Sequence, residues 1–151
     1  MIDYLQKFRL DGKTAFIVGG LGLIGKEVST ALSVAGANVV VLDIVEDAGD
    51  AFSKKMGDSD CKVNFELFNC EENFSGIISK NGCPDIFINC SYPRTADWGK
   101  SSFKDVTLDS FRQNVDIHMN SYAWLARLAA EEMVNNKESG SIIQLGSTYG
   151  I

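Results

Sequence analysis

Apolar positions fall along this chain in two alternating rhythms. A short unbroken run, Ala15-Phe16-Ile17-Val18, is followed by apolar side chains at Val28, Ala31, Leu32 and Ala35, the three- and four-residue spacing of a helix. The first segment predicts a buried strand, and the second a helix from about Leu23 to Ala35, closed by Gly36. The rhythm then repeats. Asn38–Leu42 is a second strand ending on Asp43, and Glu46 to about Met56 is a weaker amphipathic helix. Lys62–Phe68 alternates as a third strand, and Glu71–Lys80 is a short helix broken at Asn81-Gly82. Asp85–Asn89 is a fourth strand. Cys90–Val106 is polar and irregular, long for a connection in a compact domain. Leu108 to about Asn135 predicts one long helix with Thr107 as N-cap and a stripe of Phe111, Val115, His118, Tyr122, Leu125 and Ala129. Ser141–Leu145 is a fifth strand. Strand and helix alternating in this way predict an α/β fold, a doubly wound parallel sheet with helices on both faces.

The first crossover carries the candidate chemistry. Glycines recur at every third position, Gly19, Gly22 and Gly25, between the first strand and its helix. Glycine lets a backbone turn tightly and lets a pyrophosphate come close, and the helix start that follows, including Leu23 and Ile24, offers unpaired N–H groups. Asp43 ends the second strand near the roughly 20-residue spacing at which an acid binds adenosine ribose hydroxyls. Alone, Asp43 reads better as a residue that begins a turn; joined to the glycine turn it predicts a bound dinucleotide. The fold expected is therefore Rossmann-type, with residues 1–151 forming one dinucleotide-binding domain. Gly19–Gly25, Asp43, Asn69, Asn89 and Ser147 all fall at or just past strand C-termini, the edge where such sheets bind ligands.

Composition narrows the partners. The net charge is −6, without a basic block, which argues against nucleic acid and anionic membrane surfaces. No apolar run approaches transmembrane length, and Met1–Lys13 lacks a signal-peptide core. Cys61, Cys70, Cys83 and Cys90 are scattered, and His118 is the only histidine, so no metal site is expected and reduced, cytoplasmic thiols are.

From about Leu10 onward the chain resembles the short-chain dehydrogenase/reductase family, first in the opening DGKTAFIVGGLGLIG. Most members have threonine where this chain has Val18, and the glycine spacing is more similar to the sugar-nucleotide-modifying branch. The segments NCSY and GSIIQLGSTYG are more similar to the simple oxidoreductase branch. A more distant resemblance is to oxidoreductases tied to bacterial flagellin or nonulosonic-acid sugar modification. The resemblance implies that Asn69, with Cys70 beside it, lies where the family contacts adenine, usually through aspartate. It implies that Asn89-Cys90-Ser91-Tyr92 occupies the family's NNAG segment, supporting the sheet and cofactor; only Asn89 matches that motif. It places His118 where the family has a proton-relaying asparagine, although His118 reads equally as a half-buried helix residue. It places Ser147 as the catalytic hydroxyl that stabilises charge on the reacting oxygen, with a simple turn residue as the alternative.

The family's tyrosine–lysine acid–base pair would fall beyond Ile151, so the chain is expected to be an N-terminal part of a longer enzyme, inactive alone and with its last strand an open edge. The function implied is an oxidoreductase passing hydride between NAD and an alcohol or carbonyl of a small-molecule substrate, with a sugar derivative in view. Asp43 favours NAD because a carboxylate repels a 2′-phosphate, and no basic residue follows at Ile44 or Val45. The alternatives are a non-catalytic dinucleotide-binding module and a sugar-nucleotide epimerase or dehydratase. The long helix near residues 108–135, with the small flank Ala123, Ala126 and Ala130, resembles the face through which members pair, so a homo-oligomer is expected.

Overall fold

Burial on both faces decides which strands sit centrally. A computed structural model of the chain describes residues 4–59, 61–100, 102, 104–136 and 139–146. Strand β1 (Thr14–Val18) lies between β2 (Asn38–Asp43) and β4 (Ile86–Asn89). The outer strands are β3 (Val63–Leu67) and β5 (Ser141–Gln144). All pairings are parallel, in the order β3-β2-β1-β4-β5. Ala15, Phe16, Ile17 and Val18 are buried, as a strand flanked on both edges and both faces requires.

Successive residues of β1 feed opposite layers. Phe16 and Val18 join Val40, Leu42, Phe74, Phe87, Leu125 and Met133 on one face. Ala15 and Ile17 join Val39, Val41, Met56 and Ile88 on the other. Helices α1 (Leu23–Val34) and α2 (Glu46–Gly57) cover the second face. Helices α3 (Ser75–Asn81) and α5 (Ser121–Asn135) cover the first. The expected parallel sheet and its two-sided helical cover are present.

Two helices depart from expectation. Helix α3 starts at Ser75, not Glu71. Asn69 Oδ1 accepts from Glu71 N–H at 3.2 Å and Asn73 Oδ1 from Ser75 N–H at 2.8 Å. These local bonds hold the intervening residues in turns. The long helix is not uniform. Helix α4 (Leu108–Val115) begins at Thr107, whose hydroxyl accepts from Ser110 N–H, and passes through a π turn at Asp116–Asn120 into α5. Ser121 N–H bonds Asp116 O, five residues back.

That extra residue rotates the buried face. Ser110, Ile117, Ser121, Leu125, Ala129 and Met133 point inward, whereas Phe111 is 58% exposed and Val115 37%. The straight stripe predicted from Phe111 to Ala129 is therefore wrong at its N-terminal end. Among the described residues strand β5 pairs only with β4, and Ile142 and Ile143 are exposed.

Candidate active site

The turn after β1 is built by close backbone packing. Gly19 has φ +70°, and a Cβ there would lie 2.5 Å from Ser91 Cα. Gly25 packs so tightly that a Cβ would overlap the Gly19 carbonyl oxygen. The turn is thus wedged against the exit of β4, at the point where the chain order in the sheet reverses. Such a reversal leaves a crevice above the strand ends. Helix α1 starts on that crevice with Gly22 as N-cap, without a capping side chain and without an acid in its first turn. Its N–H groups and dipole remain available to an anion. Leu23 and Ile24 are 94% and 58% exposed at this helix start.

Asp43 lies across from the turn. Its Oδ2 accepts from Leu21 N–H at 2.9 Å and its Oδ1 from Ile44 N–H at 2.8 Å. The carboxylate is thereby fixed beside the glycine turn, a contact that sequence spacing alone does not reveal. Asn69 stands near the start of the loop after β3 with its Oδ1 engaged by Glu71 N–H, and the next residue, Cys70, is buried.

On the β4 side, Asn89 is fully buried, and its Oδ1 accepts from Ser91 N–H at 3.0 Å and Ser91 Oγ–H at 2.6 Å. Asn89 therefore caps its own strand and shapes the loop that meets Gly19, and among the described residues its side chain bonds no neighbouring strand. The Tyr122 hydroxyl donates to the Ser91 carbonyl, pinning the same loop to α5. Gln144 Nε2 donates to Tyr122 O at 2.8 Å, tying β5 to that point. Burial pushes the Tyr122 phenol and the Cys70 and Cys90 thiols above their ordinary values, so all three stay protonated at neutral pH.

His118 lies in the π turn, half-buried, with its ring 6.0 Å from Trp98 and 6.4 Å from Tyr122 in stacked orientations. Its Nε2 is buried without a protein partner. Tyr92 meets both His118 and Trp98 edge-on, at 5.1 and 5.7 Å. Tyr92 and His118 lie in segments that the resemblance marks, but their meeting with Trp98 is not legible in the sequence; for Trp98 the length of the loop after β4 is the only signal. Ser147 lies outside the described residues, just past β5. The glycine turn, Asp43 and Asn89-Cys90-Ser91 converge on one sheet edge, and His118 joins them from the helix.

A model of the short chain dehydrogenase family matches residues 13–151. The chain belongs to this family. The chain is 31% identical to a galactitol 2-dehydrogenase of Rhizobium johnstonii, over 99% of this chain and 58% of that protein. It is 33% identical to a 7alpha-hydroxysteroid dehydrogenase of Escherichia coli, over 91% of this chain and 54% of that protein. A gluconate 5-dehydrogenase from Burkholderia cenocepacia, solved with NADP and tartrate, shares the fold at a TM-score of 0.81 and 22% identity, over 96% of this chain and 57% of that one. The chain thus spans about half the length of the curated relatives it matches.

The residues present fit a dinucleotide. The uncapped start of α1, the glycine wedge and the fixed carboxylate of Asp43 supply an anion cradle and a hydroxyl acceptor side by side. No helix among the described residues is long and apolar enough to cross a membrane.

Proposed function

We propose that this chain is the dinucleotide-binding part of an oxidoreductase that moves hydride between NAD and an alcohol or carbonyl carbon of a small molecule. The observation that carries this reading is the 2.9 Å bond from Leu21 N–H to Asp43, which sets the ribose-binding acid against the phosphate-binding turn. The N–H groups of Leu23, Ile24 and Gly25 would hold the pyrophosphate. Asp43 would accept from the adenosine ribose hydroxyls, and Asn69 and Cys70 would border the adenine. Asn89, Cys90 and Ser91 keep the crevice open beneath the other half of the cofactor. When bound, the dinucleotide supplies or accepts the hydride.

The remaining chemistry belongs to the chain. Charge develops on the substrate oxygen as the carbonyl is reduced, and a fixed hydroxyl donor such as Ser147 stabilises it. His118 would pass the proton onward from the π turn, using the ring nitrogen that has no protein partner. The gluconate 5-dehydrogenase was solved with NADP, whereas Asp43 supports NAD here: its charge opposes a 2′-phosphate, and Ile44 and Val45 offer no counter-charge. Titrating the protein with NAD and NADP by quenching of Trp98 and Trp124 fluorescence tests the assignment. Tighter NADP binding would overturn the choice of NAD, and absence of binding by both would overturn the function.

The chain also carries an exposed apolar face on α4 and the π turn, with Phe111, Val115 and Met119, beside a cleft of about 570 Å³. This face supports pairing with a second copy. A single monomeric species in sedimentation at high concentration would count against it.

A further inference from the structure

Sheet order divides the crevice into two halves. Asp43, on β2, takes the adenosine side, so a dinucleotide crossing at the Gly19 turn carries its reactive end over β4 and β5. The side chains that rise at that end are Tyr92, Arg94, Trp98 and His118. Tyr92 directly follows Ser91, the residue in backbone contact with Gly19. Tyr92 is 56% exposed and Trp98 45%, and their rings meet edge-to-face at 5.7 Å. They are held from below: His118 stacks on Trp98 and meets Tyr92 edge-on, and Asn114 Nδ2 donates at 3.0 Å to the buried Thr95 hydroxyl between them. Two large, part-exposed rings are thus ordered on the rim.

Arg94 adds charge to this platform. Its guanidinium lies 5.3 Å from the centre of the Tyr92 ring. No salt bridge to it exists among the described residues, although the chain carries net charge −6. Stacking on a ring orients a guanidinium while leaving its edge N–H groups free, the geometry that grips a carboxylate or phosphate in two parallel bonds. Aromatic faces beside it accept C–H groups and exclude water from that pair.

We infer that the substrate is anionic: Arg94 holds its carboxylate or phosphate, and Tyr92 and Trp98 carry its C–H face, with the reacting carbon turned toward β5. This inference rests on the oxidoreductase reading above and names the substrate class for it. Arg94 and Trp98 are specificity-determining, since they touch the part of the substrate that does not react.

The test uses the full-length protein with NAD, a neutral polyol, the matching aldonate and the matching polyol phosphate. The expected result is a kcat/KM at least tenfold higher for one of the two anions, and which anion wins separates carboxylate from phosphate. Arg94→Gln should lower kcat/KM for that anion by roughly ten- to a hundredfold, chiefly through KM, with a smaller loss on the neutral polyol. Arg94→Lys should restore part of it. Cofactor titration of each variant reports separately on the dinucleotide site. Equal use of all three compounds, a preference for the polyol, or an equal loss on all three in Arg94→Gln overturns this inference while the oxidoreductase reading stands. Failure to bind cofactor overturns the oxidoreductase reading, and this inference falls with it.

Discussion

Substituting alanine at Gly19 separates two costs that the structure combines there. The residue has φ +70°, and an added Cβ would lie 2.5 Å from Ser91 Cα, 2.6 Å from Ser91 N and 2.8 Å from Cys90 C. All three atoms are backbone, so no side-chain rotation relieves the overlap. The left-handed conformation costs alanine about 1 kcal/mol. Forcing the turn and the β4 exit apart adds roughly 1–3 kcal/mol, as overpacking elsewhere does. Gly19→Ala should therefore destabilise the protein by about 2–4 kcal/mol, which for a domain of this size lowers the Tm by on the order of 10 °C. Gly12 supplies the control, because it has φ +80° with nothing within 4 Å of an added Cβ. Gly12→Ala should cost only the conformational part, about 1 kcal/mol. Thermal unfolding followed by circular dichroism reads both. Equal losses in the two variants would refute the claim that the glycine turn is wedged against Ser91.

Asp43→Ala removes the acceptor for Leu21 N–H and the proposed acceptor for the ribose hydroxyls; fluorescence titration should show NAD affinity falling about tenfold or more, with the NAD-to-NADP ratio narrowing. Burial raises the Asp85 carboxyl, but Lys13 Nζ at 2.7 Å and Thr14 N–H at 2.8 Å outweigh it and hold the group below its ordinary value. A depressed folded value means stability that is present above the unfolded pKa of about 4 and is lost as pH falls through the lower folded value. The difference in urea midpoint between the protein and Asp85→Asn should therefore shrink below about pH 4; a difference that grows there would reverse the sign. Thr107→Ala removes the hydroxyl that accepts from Ser110 N–H and should cost about 1 kcal/mol, read from the same urea curves.

The sheet was legible because each central strand is a short apolar run that stops at a polar or glycine residue, and only strands buried on both faces carry such runs. The glycine turn and Asp43 were legible for a related reason: their chemistry lives in the backbone and in spacing. What was hidden depends on side chains that meet only after folding. The stripe from Phe111 to Ala129 follows helical spacing on paper, yet one π turn at Asp116–Asn120 places Phe111 and Val115 on the exposed side. No residue in Asp-Ile-His-Met-Asn marks that turn, since each is tolerated in an ordinary helix. The start of α3 moved because Asn69 and Asn73 bond forward to main-chain N–H groups, an option that hydrophobic periodicity does not register. Tyr92, Arg94 and Trp98 sit in an irregular loop, where neither period applies.

Asp43 is asked to serve two partners at once. One oxygen already accepts from Leu21 N–H and the other from Ile44 N–H, yet each carboxylate oxygen has a second lone pair. The two backbone bonds fix the plane of the carboxylate, and the unused lone pairs are what a sugar with two free hydroxyls would meet. A 2′-phosphate would meet the same oxygens as charge against charge. The Leu21 bond that orients the acid also ties the glycine turn to β2, so in the proposed function one side chain would set both the cofactor selectivity and the shape of the bend that would hold the phosphates. Asp43→Asn separates these roles. Asparagine keeps an acceptor for Leu21 N–H but turns its NH2 group toward Ile44 N–H and loses the negative charge, so stability should fall by only about 1 kcal/mol while discrimination against NADP weakens. A variant that kept full discrimination would show that charge at residue 43 is not what selects the cofactor.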